Sequence, residues 1–512
     1  MDKKLMKSTS ARVLLTADRT LMSNYRNDEF LGFGTTAPPN VVPEWFFQLL
    51  FFPPIKRING IPVEAPYGLR KIEAQLLNEG FEVLIVDPDH LGEYLDEADA
   101  LGIHVMDPFG LGPASSTFSR ILKTGEPYVA KYFRLLLEKP ELVEAKKRGL
   151  KIVVGGPGAW QLRLRPKFVD DHKINCVIDG EAEKVVGKIF RTAIEGGELP
   201  RFYEVSAKES PSLDEIPEIR NPSINGLIEI GRGCCRGCQF CSVTSRPLRW
   251  YAYEKIEKEL KVNVGAGIKY AVIHAEDVLL YGSKTVMPDR EKVRKLHELC
   301  KDYVESLSWS HTSMAAVAAA PELVKEVAEL IINDKQEWWG TEIGIETGSV
   351  ELVRKVMPAK VRPFKPEQWL EVVKTAAGIM MDNNLVPACT LITGLPQETE
   401  TDVIKTIELM DDLKDFKSLI VPLFFVPLGK MKDKDWFTME QVNNLQMELL
   451  IRCLRHDIYW AKVIMKSYFK EEWYSRILSV LYWLFVKIIE RKAKRIYDVP
   501  IQLKNREVEA EK

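Results

Sequence analysis

Residues 231–241 read GRGCCRGCQFC and place Cys234, Cys235, Cys238 and Cys241 in one short loop, of eight cysteines in the whole chain. The other four, Cys176, Cys300, Cys389 and Cys453, stand singly in apolar or helical surroundings. That is the pattern of buried thiols in a reducing compartment, not of a disulfide framework, so the loop calls for a metal or redox role. Zinc would want four ligands, usually as two separated pairs, and there is no second Cys-x-x-Cys. A ferredoxin run through Cys235, Cys238 and Cys241 would need a further cysteine where Ser245 stands. Cys234, Cys238 and Cys241 instead give Cys-x3-Cys-x2-Cys. Three thiolates can hold three irons of a [4Fe-4S] cube and leave the fourth iron open, which is what a catalytic cluster needs. Cys235 is then the spare thiol. Gly231, Gly233 and Gly237 let the backbone wrap a bulky cluster, and Arg232 and Arg236 are placed to offset its negative charge.

With Phe240 immediately before its last cysteine, this loop resembles the signature of the radical S-adenosylmethionine (SAM) superfamily. The resemblance implies a [4Fe-4S] cluster whose open iron binds SAM, and a 5′-deoxyadenosyl radical that takes hydrogen from an unactivated carbon. Further segments resemble the family's in order. HAED at 274–277 implies Glu276, with Asp277 as the second choice, at the SAM amino group. GIETGS at 344–349 implies Glu346 at the ribose. TLITGLPQET at 390–399 implies Gly394 beside adenine, although Thr390 stands where the family has an earlier glycine. FFVPLG at 424–429 implies an adenine-flanking turn at Pro427. No side chain is singled out as a catalytic quencher: Tyr281, Cys389 and His311 fall near strand ends, where burial is the expected role.

The elements that must position these residues alternate. Residues 1–200 carry short apolar runs (ARVLLTAD, FEVLIVDPD, GIHVMD, LKIVVGG, NCVIDG) separated by helical stretches such as YGLRKIEAQLLNEG. That alternation predicts a doubly wound, Rossmann-like parallel sheet with ligands at its strands' carboxyl ends. VVGGPGA and VIDGEAE resemble the cobalamin-binding domains fused ahead of many radical SAM modules, which implies Gly155, Gly156 and Gly158 near a nucleotide tail. The cobalt-ligating Asp-x-His-x-x-Gly is missing, since DPDHLGE puts His90 at the wrong offset. A scaffold without corrinoid is the alternative. Residues 201–225, rich in Pro, Ser and charge, read as a linker. Residues 226–430 hold six strand-like units, a partial (β/α)6 barrel with the cysteine loop after its first strand. Residues 431–512 read as helical.

Two greasy stretches remain. WFFQLLFFPPI at 45–55 is proline-flanked and loop-like, and ILSVLYWLFVKII at 477–489 is apolar at eleven of thirteen positions. A helix of that length spans roughly 20 Å, short of the ~30 Å hydrocarbon core, so it is expected either against the barrel or in a membrane surface. Trp473, Tyr474, Tyr482, Trp483, Lys487, Arg491 and Lys492 suit an interface belt. Together with GLGPAS at 110–115 and the domain order, these stretches resemble archaeal tetraether-lipid (GDGT) ring synthases. That resemblance implies a membrane-lipid substrate, an external electron donor and peripheral membrane contact. Alternatives are cobalamin-dependent C-methylation and, from another class, an iron–sulfur electron-transfer or binding protein. With 71 basic and 73 acidic residues, no basic groove for nucleic acid is expected. The first twenty residues lack a signal-peptide core, so the expected location is cytoplasmic.

Overall fold

A computed structural model describes residues 12–39, 41–122, 125–468 and 473–497, leaving the basic residues 1–11 outside it. The chain forms two compact units, Met1–Ile228 with Tyr251–Ala271, and Glu229–Trp250 with Val272–Lys512.

The first unit is built on a parallel sheet of β1 (Val13–Ala17), β2 (Val83–Ile85), β3 (Ala100–His104), β4 (Lys151–Gly155), β5 (Cys176–Asp179) and β6 (Phe202–Glu204). The strand order is β2-β1-β3-β4-β5-β6. All five side chains of β1 are buried, as expected where helices cover both faces of a parallel sheet. One face packs Leu14, Leu101, Ile103, Ile152, Val154 and Val177; the other packs Val13, Leu15, Ile85, Val153 and Ile178. The order reverses between β1 and β3, so the crevice for a ligand lies beyond Ala17 and His104, which are register partners. Strand β6 falls inside the stretch read as linker, because Phe202 and Tyr203 pair with Val177 and Ile178.

The stretch at 45–55 is not a loop. It forms α1 (Glu44–Phe51), whose Phe47 stacks on Phe51 at 4.4 Å and on Tyr128 at 4.8 Å, while Trp45 and Leu49 face solvent. Aromatic clustering of this kind is core formation. Helices α2 (Tyr67–Asn78) and α3 (Tyr253–Gly265) meet through a buried Lys71–Glu259 ion pair, in which Lys71 also donates to the Pro217 carbonyl at 2.7 Å. This pair ties residues 251–271 to the first unit.

The unit boundary falls within β7 (Ile228–Glu229) and β8 (Tyr270–His274), which form one sheet with β9 (Ser306–Trp309) of the second unit, ordered β9-β8-β7. The parallel set β10 (His311–Thr312), β11 (Trp339–Glu346), β12 (Leu385–Thr393) and β13 (Leu419–Phe424) forms another. Only Ser310 separates β9 from β10. Its amide donates to Ile273 O at 3.0 Å and its carbonyl accepts from Glu342 N at 2.8 Å, so the two sheets run on as one arc, a partial (β/α)6 barrel. Along β11 burial alternates: Thr341, Ile343 and Ile345 pack outward, and Glu342 and Gly344 are only half-buried on the inner face. After the barrel come α4 (Asn444–Tyr468) and α5 (Trp473–Tyr497), joined by a Lys462–Glu490 ion pair of 2.8 Å. Helix α5 is longer than the apolar run within it, and its outer side is exposed. Among the described residues no helix is long and apolar enough to cross a membrane.

Candidate active site

The cysteine loop starts where β7 ends and is fastened at several backbone points. Gln239 N donates to Val356 O at 2.9 Å, Lys430 N donates to Gln239 O at 2.8 Å, and the Thr244 hydroxyl donates to Cys241 O at 2.9 Å. The turn after β13 therefore abuts the loop, with Pro427 buried and Gly429 against the Cys241 carbonyl. Cys238 is buried, Cys234 and Cys241 are half-buried, and Cys235 is exposed. Phe240 is half-buried beside them. Burial pushes the Cys234 thiol up to about 12 and Cys238 to about 11, and raises Cys241 as well. Without metal the three are neutral thiols. The backbone N–H of Arg236 donates to Cys234 Sγ at 3.4 Å, an N–H···S bond of the kind that tunes cluster ligands.

Two ion pairs frame the loop. The first is Arg236–Asp277 at 3.0 Å, both side chains buried. Arg236 also donates to Ser313 Oγ at 2.7 Å and to the Lys360 carbonyl at 3.3 Å; Asp277 accepts from Thr312 at 3.1 Å and Ser313 at 2.6 Å. Arg236 is thus not a free charge set against a cluster, and Asp277 is not available to a ligand: together they clamp the loop to the ends of β8 and β10. Glu276 takes no part in this clamp. It is half-buried and lies within electrostatic reach of both Cys234 and Cys241. Arg232 is held by Glu229 at 2.8 Å.

The second pair is Lys360–Glu346, both nearly buried. Burial works against the Lys360 charge, but the Glu346 carboxylate, by its charge and its hydrogen bond, outweighs it and raises the ammonium above its ordinary range. Glu346 stands at φ +68°, unusual for a non-glycine residue and costing roughly 1 kcal/mol, at a register shift closing β11. Thr390 Oγ1 donates to its other oxygen at 3.2 Å. A Cβ on Gly344 would lie 1.9 Å from the Glu346 carboxylate and 2.4 Å from Lys360 Nζ, so this glycine makes room for the pair. Lys360 carries no motif and is one of 71 basic residues, so only the tertiary fold reveals it.

Other sequence expectations fare differently. Gly394 adopts φ +80°, but a Cβ there would meet Phe437 at 2.0 Å and its N–H donates to Glu398 at 2.8 Å, so the close approach is to the chain's own ring. Gly156 and Gly158 behave alike. A Cβ would fall 2.5 Å from Val105 O and 2.3 Å from Met106 O respectively, and Gly158 N donates to Val105 O at 3.1 Å. The segment Val105–Pro108 thus fills the space, and Gly155 alone of the three keeps ordinary clearance. Packing against the chain itself is therefore enough to require glycine at 156 and 158. His90 is occupied by Glu93 at 2.7 Å. Tyr281 and Cys389 are buried as expected, whereas His311 is half-exposed and lies 3.1 Å from Glu342.

Three cysteines in one loop, two half-buried and one buried, supply the soft donor set that a cluster held at three corners calls for. Among the described residues no three His, Cys, Asp or Glu side chains converge on one ion. A cube asks for something else, because each cysteine takes its own iron and the sulfurs surround a volume. Residues 228–410 match the family model described as the Radical SAM superfamily. The chain carries a radical SAM domain. Over 300 residues it is 20% identical to a tRNA-2-methylthio-N(6)-dimethylallyladenosine synthase of Orientia tsutsugamushi (strain Boryong), covering 57% of this chain and 63% of that enzyme. To the enzyme of that name from Thermosipho melanesiensis it is 26% identical over 278 residues, covering 53% and 59%. The chain therefore spans less than two thirds of the length of these relatives. It shares its fold with the radical SAM methyltransferase TsrM from Kitasatospora setae, solved with cobalamin and a [4Fe-4S] cluster bound. That likeness has a TM-score of 0.54 and 16% identity, over 82% of this chain and 77% of that one. In a radical SAM domain, Cys234, Cys238 and Cys241 would hold the cluster, with Glu276, Glu346 and Lys360 around the SAM position.

Proposed function

We propose that this radical SAM enzyme takes hydrogen from an unactivated carbon of a membrane-lipid alkyl chain and closes a carbon–carbon bond within that chain, as in the cyclopentane rings of archaeal tetraether lipids. The observation that carries this reading is the two-sided inner wall of the barrel. Register places Thr390 opposite Gly344 and Val421 opposite Thr390, so one face collects Glu342, Gly344, Thr390, Ile392, Leu419, Val421 and Leu423. His311, the register partner of Glu342, extends the same face, with the His274 ring 5.7 Å from its own. At β10 and β11 the wall is charged and polar, which suits SAM. Along β12 and β13 it is aliphatic and half-exposed, which suits a saturated chain whose burial is worth ~0.8 kcal/mol per CH₂.

When bound, the cluster and SAM supply a one-electron cleavage that yields a 5′-deoxyadenosyl radical. Closing one ring removes two hydrogen atoms from the chain and joins the two carbons. Two SAM molecules and two electrons from an external donor are therefore used per ring, and two 5′-deoxyadenosines and two methionines leave. The Arg236–Asp277 clamp holds the loop in place, Glu276 and Glu346 orient SAM, and the aliphatic wall keeps water from the carbon radical.

The test is anaerobic incubation of the full chain with SAM, a reductant and total membrane lipids, followed by mass spectrometry. The reading expects 5′-deoxyadenosine and lipids lighter by two mass units per ring. A gain of fourteen mass units overturns it in favour of C-methylation, the second reading, which the fold shared with TsrM favours. That reading requires bound cobalamin, so corrinoid retained by the purified chain separates the two.

A further inference from the structure

Helix α5 packs on α4 through the side that carries Tyr482 and Ala493, both buried. Its opposite side is exposed and changes character along its length. Ile477, Val480, Trp483, Leu484 and Ile488 are 52, 57, 49, 42 and 37% exposed, at the three- and four-residue steps of one helical face. The next turns of that face are basic, with Lys487, Arg491 and Lys494 exposed. Where the two halves meet, Leu484, Lys487, Ile488, Glu490, Arg491 and Lys494 line an open groove of about 330 Å³. The carboxylate of Glu490 is spent on Lys462 and Lys487, at 2.8 and 3.1 Å. Lys487 also sits 5.6 Å from the centre of the Trp483 ring. Elsewhere among the described residues, large exposed apolar side chains stand singly or in pairs, such as Trp45 with Leu49. The side chains of Trp473, Tyr474 and Arg476 lie outside the described residues.

We infer that this face of α5 docks the enzyme on an anionic phospholipid surface. The aliphatic half and Trp483 enter the acyl boundary, and Arg491 and Lys494 meet phosphate groups. Charge selects this occupant: a second copy laid face to face in parallel would set like charges against each other, whereas an anionic bilayer neutralises them. The exposed apolar run covers roughly 16 Å of helix, enough to lie in an interface and too little to span one. The inference rests on the lipid reading for the origin of the substrate, but docking is measured without SAM, so either can fail alone.

The experiment is vesicle co-sedimentation of the full chain, comparing phosphatidylcholine vesicles with vesicles containing about one third phosphatidylglycerol at low and high salt. Binding should be at least ~10-fold tighter to the anionic vesicles and should weaken with salt, since each basic residue near the surface contributes roughly fivefold. Leu484→Ser with Ile488→Ser should lower binding to both vesicle types at least ~10-fold. Arg491→Glu with Lys494→Glu should abolish only the anionic preference. All four positions are exposed, so unchanged melting and unchanged iron content check that the fold survives. Equal binding by wild type and both variants would overturn the inference. So would a wild-type dimer that Leu484→Ser with Ile488→Ser dissociates while vesicle binding is absent, because the face would then belong to a second copy.

Discussion

The glycine-rich loops at 231–241 and 153–159 look alike in sequence and in how two glycines of each pack, and they differ in the side chains they carry. At the first, Gly231 and Gly233 are pressed against Trp250 and the Pro247 carbonyl, but Gly237, at φ +65°, has nothing within 4 Å of where a Cβ would be, and the thiols of Cys234, Cys238 and Cys241 lie in the same loop. At the second, Gly156 and Gly158 are pressed against Val105–Pro108, and the Gly158 amide is already bonded. A glycine needed for close approach does not say what approaches. In the barrel loop one glycine stays clear among these thiols; in the Rossmann-like unit the clear one is Gly155, with no thiol, histidine or carboxylate in its loop.

The largest expected effect sharpens that contrast at the cysteine loop. Replacing Cys234, Cys238 or Cys241 by Ala should remove cluster iron and reduce 5′-deoxyadenosine formation to background, while Cys235→Ala leaves both near wild type by iron assay and chromatography. Loss of iron from Cys235→Ala would shift the ligand register. Next comes a pH effect. Because burial raises the thiols, to about 12 at Cys234 and about 11 at Cys238, reconstitution must displace a proton from each. Iron loading should therefore weaken as pH falls, by up to ~10-fold per thiol per pH unit, read as residual loading against a chelator. The same raised values imply that the metal-free chain loses stability above about pH 9, where unfolded thiols ionise and folded ones do not.

The two carboxylates at the end of β8 should separate cleanly. Asp277→Asn leaves Arg236 buried without its partner and should destabilise the fold by about 3–5 kcal/mol in denaturant melts. Glu276→Gln should keep stability and iron and weaken SAM binding, about 10-fold by calorimetry, since one charge-assisted hydrogen bond is worth about 1.5–3 kcal/mol. The smallest effect lies at the second loop. Gly158→Ala should cost about 1–3 kcal/mol from overpacking against Met106 and leave iron content unchanged. Stoichiometric cobalamin retention that Gly158→Ala abolishes would mean that this loop also meets a ligand.

The strands of both units and the cysteine loop were legible because periodicity and thiol spacing are local signals. β1 and β4 fall where apolar runs are bounded by turns, and Cys234, Cys238 and Cys241 lie within eight residues. What sequence could not separate was which polar groups are already used. Glu276 and Asp277 are neighbours, and only tertiary packing assigns Asp277 to Arg236 and Ser313. Lys360 reaches Glu346 from fourteen residues away without a motif. The stretch at 45–55 looked loop-like because of its prolines, yet Pro43 only precedes the helix, where a missing N–H is harmless. The helix at 477–489 could be read as buried or interfacial until its partners were known; packing on α4 uses one side and leaves the other exposed.

The central claim, one [4Fe-4S] cluster held by three cysteines with its fourth iron free for SAM, is tested most directly by Mössbauer and EPR spectroscopy of anaerobically reconstituted protein, with and without SAM. The account predicts one cluster per chain, one iron site whose parameters change when SAM is added, and 5′-deoxyadenosine after reduction. A cluster with all four irons unaffected by SAM, or no cluster of this type, would contradict it.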